Sequence, residues 1–412
     1  MASPLSSGGT SILAAAAGGA AATATGGGGS GGGGGAWVTT MRADSTRGAA
    51  AAAWGAAAPT GPAPTAAAVA AGDWAELIEL PAHTDHIRAL TLLPATGAIV
   101  SASHDKTLCL WEAPVLAGVA SAGVMTGKPS RTFMGHIGRV MCATVLEDGT
   151  LVSGADDSDK LLAVWNMATA LPAARLEGHV QRITALAPLG GRRLVSASMD
   201  CTLRVWDAGT TAPLHTVPID GTFAWGVTAL DDGTLVTAND NGTVKLHAPP
   251  TGACAVTLTG HTGRVFVVVQ AGDGRVATGS DDRSVRLWDL RSNTCTGTLS
   301  GHSGSVLSLA SFHSSGAPGD PRIVSGSSDK TARLWDLRML TSAPAPSAAT
   351  GAACLGAFTG HGGSVYAVAA LPHTGGGGGG GGGSSGRVAT GGSDKVLRVW
   401  SIAKGLRPVP AT

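Results

Sequence analysis

The sequence predicts an all-β protein: a closed seven-bladed β-propeller that follows a disordered Ala/Gly-rich N-terminal tail. A β-like run that ends in Trp, or once in His, occurs seven times, and three of the six spacings between these ends are 41 residues. A repeat of about this length is typical of four-stranded propeller blades. Residues 1–72 are almost entirely Ala, Gly, Ser, Thr and Pro. We therefore divide the chain into a tail, residues 1–72, and a propeller, residues 73–412.

The tail carries only three charges, at Arg42, Asp44 and Arg47, and includes a glycine tract. It cannot offset its loss of chain entropy by burying large side chains, so we predict that it is disordered. Its Ala-rich run is too short and too glycine-broken to span a membrane, and no leucine-rich segment marks a signal peptide. Because no acidic residue precedes Asp44, an organelle transit peptide is the alternative.

The net charge and the distribution of cysteines limit the kinds of partner and compartment that we predict. Lys and Arg number 28 and Asp and Glu 27, a formal net charge of +1, so bulk charge predicts binding to neither nucleic acid nor a membrane surface. The six cysteines are dispersed, without a C-x-x-C pair or clustered His partners. This pattern predicts a reduced protein of the cytoplasm or nucleus whose cysteines are small core residues.

Four residues recur at corresponding positions in six of the repeats. An Asp lies six residues before the terminal Trp, a Ser or Thr lies four, or once six, residues before that Asp, and a His lies further upstream. In chain order the sets are His83, Ser101, Asp105 and Trp111; His136, Ser153, Asp159 and Trp165; His179, Ser196, Asp200 and Trp206; His261, Thr278, Asp282 and Trp288; His302, Ser325, Asp329 and Trp335; and His361, Thr390, Asp394 and Trp400. The fourth repeat departs, because Asp220 replaces the His and His247 replaces the Trp.

These residues resemble those of the WD-repeat family over residues 76–402, and Trp-Asp itself occurs three times, as at Trp288-Asp289. The resemblance implies that each set forms a buried hydrogen-bonded chain, which we call the tetrad. It also implies that residues 76–80 supply the missing outer strand of the last blade and close the ring. We expect blade four to be the least regular. The insertions, predicted to be loops, are residues 113–130, 314–320, 339–353 and 375–386.

A catalytic, metal or cofactor site is not predicted. Ser, His and Asp recur together six times, whereas a hydrolase needs one exposed nucleophile at a strained turn. No phosphate-binding G-x-x-x-x-G-K-[ST] motif is present in the sequence. His83 and His86 have the spacing of a metal pair, but His83 belongs to a tetrad, which disfavours ligation. We therefore predict a non-catalytic platform for other proteins, a monomeric ring within a larger complex.

The resemblance places binding residues on the narrow top face, on either side of the first strand's apolar position and just before the turn Asp. The residues that we single out there, termed the top face, are His86, Arg88, Arg139, Arg182, Phe223, Trp225, Arg264, Phe266 and Tyr366. The position before the turn holds His104, Ser158, Met199, Asp240, Asp281, Ser328 and Ser393.

Arg and aromatic residues predominate among binding hot spots. We expect the top face to bind an acidic or phosphorylated peptide segment through a local positive field. The alternative is that Asp240 and Asp281 pair with the arginines and quench that field.

A second function is a substrate receptor of a cullin-type ubiquitin ligase. Residues 276–291 and 323–338 resemble the sixteen-residue signature ending in W-D-x-R that is associated with docking to the ligase adaptor, with departures at Ala277 and Ala332. The matching residues are Trp288, Asp289, Arg291, Trp335, Asp336 and Arg338. The blades are similar to those of F-box WD proteins, but residues 1–72 contain no F-box.

Overall fold

The computed structural model describes residues 74–81, 83–112, 127–248, 253–272, 274–312, 321–340, 353–371 and 386–402. The predicted tail, residues 1–72, and almost all of the four predicted loop insertions lie outside this part. The described residues form 28 β-strands and one 3-10 helix, Leu337–Leu340. The strands make seven four-stranded antiparallel sheets. The seven-bladed all-β architecture predicted from the repeat length is confirmed.

The first strand of the described residues, β1 (Trp74–Leu80), belongs to the last blade, and the next twelve strands build blades one to three in order. Blade one contains β2 (Ile87–Leu93), β3 (Ala98–Ser103), β4 (Thr107–Trp111) and β5 (Arg131–Met134). Blade two contains β6 (Val140–Val145), β7 (Leu151–Ala155), β8 (Leu162–Trp165) and β9 (Pro172–Leu176). Blade three contains β10 (Ile183–Pro188), β11 (Arg193–Ser198), β12 (Thr202–Asp207) and β13 (His215–Pro218).

The remaining strands form blades four to seven. Blade four contains β14 (Ala224–Ala229), β15 (Leu235–Asn239), β16 (Val244–His247) and β17 (Cys254–Leu258), and blade five contains β18 (Val265–Gln270), β19 (Arg275–Ser280), β20 (Val285–Asp289) and β21 (Thr294–Leu299). Blade six contains β22 (Val306–Ser311), β23 (Arg322–Ser327), β24 (Ala332–Asp336) and β25 (Cys354–Phe358), and blade seven contains β26 (Val365–Leu371), β27 (Arg387–Gly392) and β28 (Leu397–Ile402).

The first strand completes the sheet of blade seven. β1 pairs antiparallel with β28, from Trp74 opposite Ile402 to Leu80 opposite Leu397. The strand predicted over residues 76–80 is therefore present and begins two residues earlier. Ile78 and Leu80 are buried in the apolar cluster that blades seven and one share. Pairing the two ends of the folded unit covers an edge that would otherwise expose unpaired backbone groups.

The apolar core lies between the blades. Each of seven buried clusters combines residues of two neighbouring blades, and six of them contain the terminal Trp of a tetrad. The cluster between blades three and four has no Trp among its described residues. This difference follows from the sequence, because His247 occupies the Trp position of blade four and is itself buried.

The cysteine prediction holds for three of the six positions, and Cys295 is partly buried against the cluster that blades four and five share. Cys109, Cys142 and Cys354 are buried, whereas Cys201 and Cys254 are exposed. The prediction was wrong for Cys201 because that residue lies in a tight turn, with a positive φ of 61°. It was wrong for Cys254 because that residue lies at the exposed start of the outer strand of its blade, whose buried residue, Leu258, is at the other end.

Candidate functional site

Six blades hold the same hydrogen-bonded tetrad, and blade five shows the pattern. His261 Nδ1 lies 2.7 Å from Asp282 Oδ2, and His261 Nε2 lies 2.8 Å from Thr278 Oγ1. Trp288 Nε1 donates to that Oγ1 at 2.8 Å. In blades one, two, three, six and seven the corresponding His–Asp, His–hydroxyl and Trp–hydroxyl distances lie between 2.6 and 2.9 Å. The structure thus brings the members of each predicted set together.

In blade five the tetrad satisfies its buried polar groups when the imidazole of His261 is neutral and carries its proton on Nδ1. Nδ1–H then donates to Asp282, the hydroxyl of Thr278 donates to Nε2, and the indole N–H donates to the hydroxyl oxygen. Asp282 also accepts from the backbone N–H groups of Thr262, at 3.1 Å, and Ser284, at 3.0 Å. Burial alone raises the pKa of Asp282, but the hydrogen bonds from His261 and from the side chain and backbone of Ser284 outweigh it and hold that pKa well below its usual range.

This arrangement supports a structural role for the tetrad. The Asp carboxylate ties the loop before the inner strand to the turn between the second and third strands, since it accepts hydrogen bonds from both. The hydroxyl of Thr278 is fully buried and engaged by two partners, so it offers no accessible nucleophile.

Blade four replaces the tetrad with other contacts. Asp220 is exposed, and its carbonyl accepts a hydrogen bond from Lys245 Nζ at 2.8 Å. Thr237 Oγ1 lies 3.2 Å from Nε2 of His247. The expectation that this blade would be the least regular was wrong for the backbone, because its four strands pair as in the other blades. The departure is confined to the side chains.

The top-face positions lie at the same end of every blade. In blade five the backbone N–H of Asp281 donates to the carbonyl of Arg264 at 2.8 Å. The corresponding pairs in the other blades, at 2.9 to 3.1 Å, are His104–His86, Asp156–Arg139, Met199–Arg182, Asp240–Phe223, Ser328–Ser305 and Ser393–Ser364. The donor in blade two is Asp156 and not the predicted Ser158, because that hairpin carries two extra residues.

A β-bulge fixes the second top-face position of each blade. In blade five the pairing shifts between Val265 and Val267, which leaves Phe266 without a pairing partner. The bulged residues of the other inner strands are Arg88, Met141, Thr184, Trp225, Leu307 and Tyr366. A bulge bends the strand and changes the direction of the extra side chain. The backbone therefore determines where this side chain lies and leaves its type free to vary.

Two of the four top-face arginines are paired with carboxylates. Arg182 Nη2 lies 2.8 Å from Asp157 Oδ2, and Arg264 Nε lies 3.1 Å from Asp240 Oδ1. The expected field is therefore partly quenched, and of the two predicted partners Asp240 pairs whereas Asp281 accepts from Ser305 Oγ at 2.5 Å. Sequence reasoning missed Asp157, whose only signal was the longer hairpin of blade two.

The remaining two arginines have no carboxylate partner in the described part of the chain. Arg139 is exposed, and its guanidinium makes no hydrogen bond or ion pair with the described residues. Arg88 lies with its guanidinium carbon 4.5 Å from the centre of the Tyr366 ring, and burial lowers the pKa of Arg88. These two residues carry the positive charge of the top face that internal pairing does not neutralise.

The aromatic residues of the top face form two groups. Trp225 packs edge to face against Phe223 and Phe266, with ring centres 5.4 and 5.6 Å apart. Its indole N–H donates to Asp240 at 2.9 Å, which fixes the ring between blades four and five. His86 lies between Tyr366 and His104, at 5.8 and 5.4 Å. Burial and the neighbouring Arg88 lower the pKa of His104 to about 4.

The residues of the two adaptor-docking signatures divide into buried and exposed members. Trp288 and Trp335 are buried in their tetrads. Asp289 accepts a hydrogen bond from the Arg291 backbone at 2.8 Å, and Asp336 pairs with Arg338. Arg291 and Arg338 are exposed at the end of the blade opposite to the top face.

Part of the chain is similar in sequence to the striatins. Human striatin is 30% identical over 157 residues, which are 35% of this chain and 20% of striatin. Human striatin-3 is 26% identical over 208 residues, 45% of this chain and 25% of that protein, and mouse striatin-4 is 25% identical over 203 residues, 45% and 27% respectively. The matches thus span about a quarter of these relatives. No helix of the described residues is long and apolar enough to cross a membrane.

The family model described as "WD domain, G-beta repeat" matches residues 74–112, 127–166, 171–207, 252–289, 293–336 and 352–401. The unmatched residues 208–251 hold the outer strand of blade three and the first three strands of blade four, where the tetrad is replaced. The matched segments cover more than half of the chain, and each of the six contains one complete tetrad. The chain belongs to the WD-repeat family.

Proposed function

We propose that the protein is a non-catalytic scaffold for protein–protein interaction whose top face binds an acidic or phosphorylated extended segment of a partner protein. The observation that carries the proposal is a contrast within the repeat. The tetrad residues are nearly invariant from blade to blade, whereas the bulged residues differ in each of the seven. Fold requirements alone explain the first set. The second set consists of side chains that the bulge presents and that the fold leaves free.

The described contacts suggest how such a segment would bind. Arg139 has an exposed guanidinium, which suits bidentate binding of a carboxylate or phosphate. The ion pairs of Arg182 and Arg264 are about one-third exposed at the arginine. Such pairs typically stabilise a fold by about 0–1 kcal/mol, so a partner anion can replace the internal carboxylate at low cost. The aromatic row around Trp225 provides a rigid apolar contact for a neighbouring side chain.

The test is affinity capture with the full chain, followed by binding of acidic, phosphorylated and neutral versions of the captured segment. We expect Arg139→Glu and Trp225→Ala each to weaken binding at least tenfold, and binding of the wild type to fall as salt concentration rises. Arg291→Glu, at the opposite end of the blade, is the matched control. Equal binding of the neutral and acidic segments would refute the proposal.

The alternative is a substrate receptor of a cullin-type ligase. Arg291 and Arg338 are exposed at the end opposite to the top face, so an adaptor and a substrate could bind at separate sites. Capture of a ligase adaptor that is lost in Arg291→Glu, with top-face binding retained, would favour this function.

A further inference from the structure

We propose that Asp85, His86 and His104 form a binding site for a divalent transition-metal ion at the top face of blade one. One ligand atom of each residue, a carboxylate oxygen or a ring nitrogen, lies within 4.8 Å of the other two. His86 Nε2 is 3.9 Å from Asp85 Oδ1. An ion with ligand bonds of about 2.0–2.2 Å would hold its ligands roughly 3–4 Å apart, so small side-chain rotations suffice to close the site.

The backbone around the three residues is fixed. The N–H of His104 donates to the carbonyl of His86 at 2.9 Å, and Ser103 Oγ donates to the carbonyl of Asp85 at 3.1 Å. The N–H of His86 donates to Asp85 Oδ1 at 2.8 Å. The loop before β2 and the turn after β3 are thereby held together. The ligands are brought near one another before any ion binds, which reduces the entropic cost of binding.

A polar atom without a partner points to a ligand. His104 Nε2 is shielded from solvent and has no hydrogen-bond partner among the described residues. Buried polar side-chain atoms in native structures are nearly always hydrogen-bonded, so an exception requires an explanation. Coordination of a metal ion would explain the unpartnered nitrogen of His104 and also the adjacent imidazole and carboxylate.

The other blades show why these positions meet. Glycines occupy the position of Asp85 in blades five, six and seven, at Gly263, Gly304 and Gly363. A Cβ atom added to any of them would contact the residue before the turn Asp, which is the position of His104. The repeat geometry therefore places these two positions side by side in these three blades, as it does in blade one. Among the described residues, only blade one has metal-ligating side chains at both positions together with a second His beside them. The fold does not require these residue types there.

The chemistry of the ligands restricts the ion. Two imidazole nitrogens and one carboxylate oxygen suit Zn²⁺, Ni²⁺ or Cu²⁺ better than Mg²⁺ or Ca²⁺, which prefer oxygen. Arg88 and Arg139 lie close enough to act on His104 electrostatically, so they oppose a cation and should make its affinity modest. Three protein ligands leave a coordination position for water or for a group from another molecule. This inference does not depend on the proposed function.

The experiment is calorimetric titration of ZnCl₂, and separately of MgCl₂, into the full chain without an affinity tag. Because exposed thiolates also bind Zn²⁺, the background is Cys201→Ser with Cys254→Ser. We expect one site for Zn²⁺ with no detectable Mg²⁺ binding, and at least tenfold weaker Zn²⁺ binding in His104→Gln and in His86→Gln. His215→Gln removes an exposed His outside the cluster and is the matched control.

Two results would overturn the proposal: no Zn²⁺ binding to the background protein, or equal binding in the background, His104→Gln and His86→Gln variants. Thermal midpoints without metal show whether each variant folds. Should His104→Gln fail to fold, His86→Gln decides the question, since the ring of His86 is 38% exposed and its loss should not disturb the core.

Discussion

Blades four and five have the same backbone and different side-chain networks. Both contain four antiparallel strands, and both inner strands bulge at the second residue. Blade five holds a complete tetrad, whereas blade four has Asp220 and His247 at two of its positions. The comparison teaches that strand pattern and apolar packing between blades suffice to specify a blade. The tetrad adds a polar tie between loop and turn.

The two blades also differ at their interfaces. Trp288 of blade five is buried in the cluster that it shares with blade four. The cluster between blades four and three contains no described Trp and includes the small side chains of Ala187, Ala197 and Ala224. We infer that the interface between blades three and four is stabilised less by apolar burial than the next one.

The largest expected effect is at this Trp position. Trp288→Ala should lower the free energy of unfolding by about 3–5 kcal/mol, because it removes a buried indole and leaves a cavity. His247→Ala should cost about 1–2 kcal/mol, since a smaller side chain is lost. Chemical denaturation of both variants measures the difference. Equal losses would show that the two interfaces are equivalent.

The next effect concerns the carboxylate that ties the loop to the turn. Asp282→Ala should cost about 3 kcal/mol, because it leaves the buried His261 and two backbone N–H groups without their acceptor. Asn241→Ala should cost about 1 kcal/mol, because Asn241 Oδ1 accepts only from the N–H and hydroxyl of Thr243, and the residue is exposed. Unfolding curves of similar midpoint for the two variants would contradict the assigned role of the tetrad.

Acid should distinguish the two blades further. The pKa of Asp282 in the folded protein lies below its usual value, so the ionised carboxylate stabilises the fold above about pH 4, and this contribution is lost as pH falls through the folded-state pKa. The difference in unfolding free energy between wild type and Asp282→Asn should be constant from pH 5 to 8 and smaller below about pH 4. The difference for Asn241→Ala should not change with pH, because an amide does not titrate. A constant difference for Asp282→Asn down to pH 3 would contradict the pKa shift.

The smallest effect is expected where the two blades meet on the top face. Arg264 of blade five pairs with Asp240 of blade four, and both side chains are about one-third exposed. Arg264→Ala should therefore change stability by less than about 1 kcal/mol, and salt should reduce the difference. A loss above about 2 kcal/mol would mean that the pair is structural and not available to a partner anion.

Sequence periodicity sufficed to predict the fold and the tetrads. The spacing of Trp, Asp and His recurs in six repeats. It marks turns and strand ends, whose structure depends mainly on neighbouring residues. The strand pairing of residues 76–80 with the last repeat was also predictable, because one repeat lacked an outer strand. The regular backbone of blade four could not be predicted, since the substitutions in its repeat motif gave no indication that its strands pair as in the other blades.

The pairing of charges on the top face could be predicted only in part: Asp240 was expected to pair with an arginine and does, whereas Asp157 was not expected to. Asp157 reaches Arg182 only because the hairpin of blade two is longer, and its register depends on three-dimensional placement of the extra residues. Likewise, the approach of Asp85 and His86 to His104 depends on how the loop before β2 and the turn after β3 fold against each other. Contacts between such loops depend on the full fold and not on local spacing.

The central claim is that the repeated residues hold the blades together and the non-repeated top-face residues bind a partner. The most direct test measures both the thermal midpoint and the affinity for the captured partner segment in two full-length variants, Arg139→Glu and Asp282→Ala. We predict that Arg139→Glu keeps the wild-type midpoint and binds at least tenfold more weakly. Asp282→Ala should have a lower midpoint and retain binding at temperatures where it is folded. Unchanged binding by Arg139→Glu, or loss of binding only together with unfolding, would contradict the claim.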